Sequence, residues 1–188
     1  MIYFTSDTHW GHANIIEYSK RPYKDVKEMD EALIKNWNET VSPTDTVYHL
    51  GDVMFSKDYY ILDRLNGTKY FLWGNHDSDR FIEQLDKRSL SLKDYHEFKY
   101  NGHLFVLCHF PLLTWNKARK GSIHLHGHIH STVPIYSNVA RYDVGVDANN
   151  YKPVSIEQII EAFRNLRDSP MNPDELPPLD SSRGTRGV

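Results

Sequence analysis

Ile2-Tyr3-Phe4-Thr5-Ser6-Asp7-Thr8-His9, residues 2–9, runs from a β-rich apolar segment straight into a carboxylate and an imidazole. Aromatic and β-branched residues favour an extended chain, so the opening reads as a strand that delivers Asp7 and His9 at its exit. The pattern recurs: residues 46–50 lead into Gly51-Asp52, and residues 69–73 lead into Gly74-Asn75-His76-Asp77. His109 then follows the apolar run 104–108, and Gly127-His128-Ile129-His130 follows 123–126. Five separated groups of oxygen and imidazole donors, each at a strand exit, can fold into one pocket for two hard or borderline divalent ions.

Strands are predicted at 2–5, 46–50, 69–73, 96–100, 104–108, 123–126 and 142–146. Asn101-Gly102 between two of them is a strong hairpin signal, so part of the sheet system is antiparallel. A helix is predicted from 26 to 39 behind Asp25 as N-cap, with Met29, Leu33 and Trp37 along its apolar stripe. A last helix begins with a capping box, Ser155 and Gln158, and its apolar residues Ile156, Ile159, Ile160, Phe163 and Leu166 fit a 3.6-residue period. It should close one face of a sheet. Pro170, Pro173, Pro177 and Pro178 stand among polar residues, which separates a 1–167 domain from a 168–188 tail.

At 188 residues, with 39% hydrophobic and 13% aromatic content, the chain is long enough for one substantial core and shows no second domain. Its net charge of −3 gives no polybasic surface for nucleic acid. Cys108 is the sole cysteine and rules out an internal disulfide; it reads as a small buried hydrophobe in a protein of the reducing cytoplasm. Met1-Ile-Tyr-Phe passes directly to the first donors without a signal-like segment, and no apolar run reaches membrane-spanning length, so no membrane partner is expected.

Asp7 and His9 are alternate residues, which share a face in an extended segment and can grip one ion; His128 and His130 repeat the spacing. Asp52, turned by Gly51, has two oxygens and can bridge two ions. Asn75 completes a shell without adding negative charge. Two divalent ions outweigh two carboxylates and a bridging hydroxide, so the site stays positive and attracts phosphate. Ions about 3.5–4 Å apart can acidify a shared water, polarise phosphoryl oxygens and template in-line displacement.

Asp-x-His, Gly-Asp, Gly-Asn-His-Asp, a lone His and Gly-His-x-His, in that order over residues 1–146, resemble the calcineurin-like metallophosphoesterase superfamily. The opening SDTHWGHANII with VYHLGD is similar to its small stand-alone bacterial and phage members. The resemblance implies an α/β (α+β) fold, a two-sheet sandwich flanked by helices in four layers, with ligands on loops. It implies that Asp7, His9 and His130 hold one metal, that Asn75, His109 and His128 hold the other, and that Asp52 bridges them. His76 would contact phosphate and protonate the leaving oxygen, with Asp77 orienting it.

Substrate contacts are expected from His12, from Arg21, and from Arg119 in the basic stretch Lys117–Lys120, which could overhang the pocket. Trp10 and Tyr23 are candidates for stacking on a base. His126 is expected to pack the site, and His49, His96, His103 and His124 to be structural. Two functions of different class fit. One is a dinuclear hydrolase of phosphomonoesters or diesters, with nucleotides or nucleic-acid ends as candidate substrates; the other is a metal-stabilised protein-interaction scaffold with little activity. Asp/Asn/His donors suit manganese first, with iron, nickel and zinc also compatible.

Overall fold

Phe4 is fully buried and stacks with Tyr48, Phe98 and Phe105 at centroid distances of 5.7, 6.2 and 6.2 Å. Those partners come from two different sheets, which makes Phe4 the pin between them. The computed structural model describes residues 1–57, 59–87, 90–133 and 140–164. Its first sheet holds β1 (Ile2–Thr5), β2 (Thr46–His49), β3 (Thr68–Leu72), β4 (Ser91–Lys93) and β9 (Val154–Ser155), in the order β4-β3-β2-β1-β9. β1 to β4 pair in parallel and β9 joins the edge antiparallel. The second sheet holds β5 (Tyr95–Tyr100), β6 (His103–Cys108), β7 (Ile123–His126) and β8 (Arg141–Asp143), in chain order. β5 and β6 form the expected hairpin, and Asn101 (φ 45°) and Gly102 (φ 78°) both take the left-handed conformations that such a turn requires. β6, β7 and β8 are parallel.

Strand alternation sorts the core. Phe4 and Leu72 meet Phe105, Leu107, Ile123 and Leu125 between the sheets, while Val47 and Phe71 face a helical layer. That layer holds α1 (Asn14–Tyr18), α2 (Val26–Thr40) and α3 (Asp79–Lys87), which contribute Ile15, the Met29, Leu33 and Trp37 stripe, and Phe81 with Leu85. Asp25 caps α2 by accepting from Glu28 N at 2.8 Å. The outer face of the second sheet is covered by residues 110–122, whose Trp115 ring lies 5.1 Å from that of His124. The sheets are thus flanked on both sides, as the sequence implied.

The last helix, α4 (Ile156–Phe163), has its capping box in place but docks differently from the expectation. Instead of closing a sheet face, Ile156, Ile159 and Phe163 wedge into the core between the sheets, with Phe163 edge-on to Tyr142. β4 and β9, three and two residues long, carry too little periodicity to be read from sequence. Leu166 and the 168–188 segment lie outside the described residues. No helix among the described residues is long and apolar enough to cross a membrane.

Candidate metal centre

Parallel pairing puts the exits of β1, β2 and β3 at one end of the first sheet, and β6 and β7 do the same in the second. A bridge from Ser6 to Gly145 brings the two ends together. The turns that follow are unusual: Asp7, His9, Asp52, His128 and His130 have φ of 58°, 52°, 54°, 73° and 47°. Left-handed backbone is costly for residues with a Cβ and persists where the surroundings over-determine it, most often at functional sites. Glycines make the approach possible. A Cβ on Gly74 would lie 2.2 Å from Asp52 N, and one on Gly127 would lie 2.2 Å from Asp7 Oδ2.

Asp52 Oδ2 lies 3.5 Å from His9 Nε2 and 3.6 Å from His109 Nε2, between the two imidazoles. Asp52 Oδ1 accepts from His76 N at 2.9 Å, which fixes the carboxylate. Asp7, His9 and His130 form one group whose donor atoms lie within 4.8 Å of one another, and Asp7, Asp52 and His109 form a second. Asp7 also accepts from His128 N at 3.0 and 3.1 Å.

Hydrogen bonds on the far side of each ring decide where the lone pairs point. His109 Nδ1 donates to Leu50 O at 2.8 Å, so Nε2 presents its lone pair to Asn75 Oδ1 at 3.0 Å and to Asp52. His130 Nδ1 donates to Asp147 Oδ2 at 2.7 Å, so its Nε2 faces Asp7 Oδ1 at 3.9 Å. His9 Nε2 is buried with no hydrogen-bond partner among the described residues. Acceptors therefore face acceptors, an arrangement that cations shared between them would relieve. Charge tells the same story. Burial pushes Asp7 up to about 7, with Asp52 adding repulsion, and burial drives His9 far below its usual range. For His130, burial opposes the charge, but the Asp147 bond and Asp7 outweigh it and the net shift is upward. The residues present fit divalent ions.

No family model matches the chain. It is 39% identical to the uncharacterized protein MJ1445 of Methanocaldococcus jannaschii over 170 residues, covering 85% of this chain and 89% of that one. It is 30% identical to the Gene 66 protein of mycobacterium phage L5, covering 88% and 95%. The chain belongs to one family with these proteins. Its ordered motifs, brought together at one end of the two sheets, resemble those of small stand-alone metallophosphoesterases. Among solved structures, the protein of unknown function AQ665 from Aquifex aeolicus overlays at a TM-score of 0.68 with 26% identity, covering 86% of this chain and 98% of that one.

Several expectations for this site need correction. Asp77 does not orient His76: its carboxylate accepts from Asp52 N at 2.9 Å, Val53 N at 2.8 Å and Gly74 N at 2.8 Å, and so laces two loops together. Arg21 is not a substrate contact. Its guanidinium is buried, bonds Asp147 at 2.9 Å from Nε and from NH2, and donates to the carbonyls of Asp7 and Thr8 at 2.6 and 3.0 Å. Arg119 is exposed, but it precedes the start of β7, whereas His128 follows its end. Five residues of extended chain span roughly 15 Å, so the Lys117–Lys120 stretch does not overhang the centre. Trp10 is fully buried in the core, and Tyr23 packs edge-on against Tyr151.

His12 does reach the rim, its ring 3.9 Å from that of Phe55 and its Nδ1 3.4 Å from that of His9. His76 is exposed, with its ring 5.7 Å from that of His9. His126 is buried, and burial lowers it to about 3, in keeping with a packing role. Two carboxylates escaped sequence reasoning. Asp147 joins His130 to Arg21, and Asp143 sits buried beside Asp7. Burial pushes Asp143 up to about 7, and Asp7 adds to the shift. Ser131 Oγ lies 2.6 Å from Asp143 Oδ2 and 2.7 Å from Val133 O. A hydroxyl has one proton; a protonated Asp143 donating to Ser131, which donates to Val133, satisfies both contacts. Val144-Gly145-Val146-Asp147 behind the last strand is the signal that could have found Asp147.

Proposed function

We propose that this protein is a divalent-metal-dependent phosphoesterase with a dinuclear centre. The observation that carries the reading is the position of Asp52 Oδ2 between His9 Nε2 and His109 Nε2, at 3.5 and 3.6 Å, with His9 Nε2 buried and without a hydrogen-bond partner among the described residues. Asp7, His9 and His130 would hold one ion, Asn75, His109 and His128 the other, and Asp52 both. Ions there would supply Lewis-acid activation of a phosphoryl group and of a water nucleophile. The chain's own residues do the rest. Asp147 and Leu50 O fix the tautomers of His130 and His109, so each offers Nε2. Asp77 holds the Asp52 and Asn75 loops in register. His76, whose side chain is exposed, would donate a proton to the departing ester oxygen.

Asp/Asn/His donors make manganese our first choice of metal, and phosphate esters of nucleotides are the substrates we favour over nucleic-acid ends, since the basic stretch lies away from the centre. We place the protein in the cytoplasm on its single buried thiol, and read residues 1–167 as the working unit. The test is chelation followed by add-back of single metals, assayed on a phosphomonoester, a phosphodiester and nucleotides. Turnover restored by Mn²⁺ with two ions bound per chain supports the reading. Full activity in chelator, or no turnover of any phosphoester with metal loaded, overturns it.

A further inference from the structure

Two phenylalanines interrupt the polar rim of the centre. Phe55 is 45% exposed and Phe110 is 43% exposed, although the donor set is complete without either. An apolar ring left in water beside a charged site gains nothing until something flat covers it. The two rings are not equivalent. Phe55 already has an imidazole lying along one face, that of His12 at 3.9 Å and 20°. Phe110 meets His109 at 5.0 Å and 79° and His128 at 4.8 Å and 64°, both steep contacts, so no ring lies flat on it among the described residues.

Phe110 is also anchored. His124 Nδ1 lies 3.0 Å from Val106 O, and its Nε2 lies 3.1 Å from both Leu112 N and Phe110 O. Arg141 NH1 donates to Leu112 O at 3.2 Å, and Pro111 between them has a fixed φ. The segment that carries the exposed ring is therefore held on both sides, and a partner would not bear the cost of ordering it.

We propose that Phe110 is a stacking platform for a nucleobase, and that the phosphoesters this centre takes are those of nucleosides. The proposal rests on the phosphoesterase reading above. Phe110 borders the His109 and His128 rings and, among the described residues, meets neither the His9 ring nor the His130 ring. An aryl group esterified directly to phosphorus would lie over the donors themselves; a base set off by a pentose reaches further out. Stacking accepts any base, because each has a π-face, so the selection is for a base over none.

The experiment measures binding of the non-hydrolysable methylene phosphonate analogues of AMP and of ribose 5-phosphate to the Mn²⁺-loaded full chain by calorimetry. Base stacking contributes enough that the AMP analogue should bind about tenfold or more tightly than its ribose counterpart. Phe110→Leu should bring that ratio close to one, whereas Phe110→Trp and Phe55→Leu should keep it. A wild-type ratio near one, or binding of neither analogue, overturns the platform whether or not the leucine variant folds. So does a ratio that survives Phe110→Leu or falls only in Phe55→Leu. Hydrolysis of AMP and ribose 5-phosphate is followed in parallel. No turnover with the binding ratio intact would remove the phosphoesterase reading alone, and turnover with a ratio near one would remove only the platform.

Discussion

Asp52 is the residue on which the proposed centre turns, because one of its oxygens faces both imidazoles while the other is spent on His76 N. An amide has the same shape and no charge to balance two cations, so Asp52→Asn should lose most bound metal and turnover together; full metal content in the purified variant would refute the bridging role. His76 is the contrasting case. Its backbone is tied to Asp52, but its side chain is exposed, so His76→Ala should keep both metals and slow turnover. General-acid assistance contributes about 10²- to 10⁴-fold, and the loss should be large for alkoxide leaving groups and small for nitrophenolate. Metal loss would make His76 a ligand, and equal slowing of both substrates would deny it the acid role.

At the scale of elements, the loops after β2 and β3 act as one unit, and Asp77 is their fastener. Its two oxygens accept three backbone N–H groups from Asp52, Val53 and Gly74. Asp77→Ala leaves three largely enclosed donors without partners at about 1–3 kcal/mol each, so urea unfolding should show a loss of at least about 3 kcal/mol, with metal affinity falling as the loops part. Unchanged stability with unchanged metal binding would assign the fastening elsewhere. The elements with strong local signals were legible beforehand: α2 from Asp25 and its Met29, Leu33 and Trp37 stripe, α4 from its capping box, and the hairpin from Asn101-Gly102. The docking of α4 was not, because an amphipathic stripe says that a face is buried and not against what.

Across the whole molecule, the carboxylates gathered at the sheet ends set a pH dependence. Asp143 titrates at about 7 in the fold, against the usual value near 4 in the unfolded chain. A raised folded value means a contribution fully present below about pH 4 and lost as pH rises through about 7, since the fold holds a proton that the unfolded chain releases. Asp143→Asn keeps the shape, with its amide donating to Ser131 Oγ and its oxygen accepting from Gly145 N, and it has no proton to lose. In chelated protein, urea unfolding of the two should therefore diverge between pH 4 and 7, the variant gaining on the wild type by a few kcal/mol by the upper end. A constant difference across that window would show that Asp143 is ionised in the fold throughout.

The linear chain alone declares which residues could meet a metal and which segments would be strands, because ligand identity and alternation are local and each motif follows its own strand. It named Asp7, His9, Asp52, Asn75, His109, His128 and His130, and the fold gathers Asp7, His9, Asp52, Asn75, His109 and His130 within reach of one another, with the His128 ring 5.2 Å from that of His109. What each neighbouring polar group does follows from contacts between distant segments. Arg21 looked like a phosphate ligand and is a buried brace for Asp147, 126 residues away; Asp77 looked like a partner for His76 and ties loops; Arg119 sits at the wrong end of β7. Asp143 and Asp147 were invisible for the same reason. A side chain's charge and reach are written in its own residue, but whether it meets water, a substrate or another carboxylate depends on strand order and on which ends of two sheets the chain brings together.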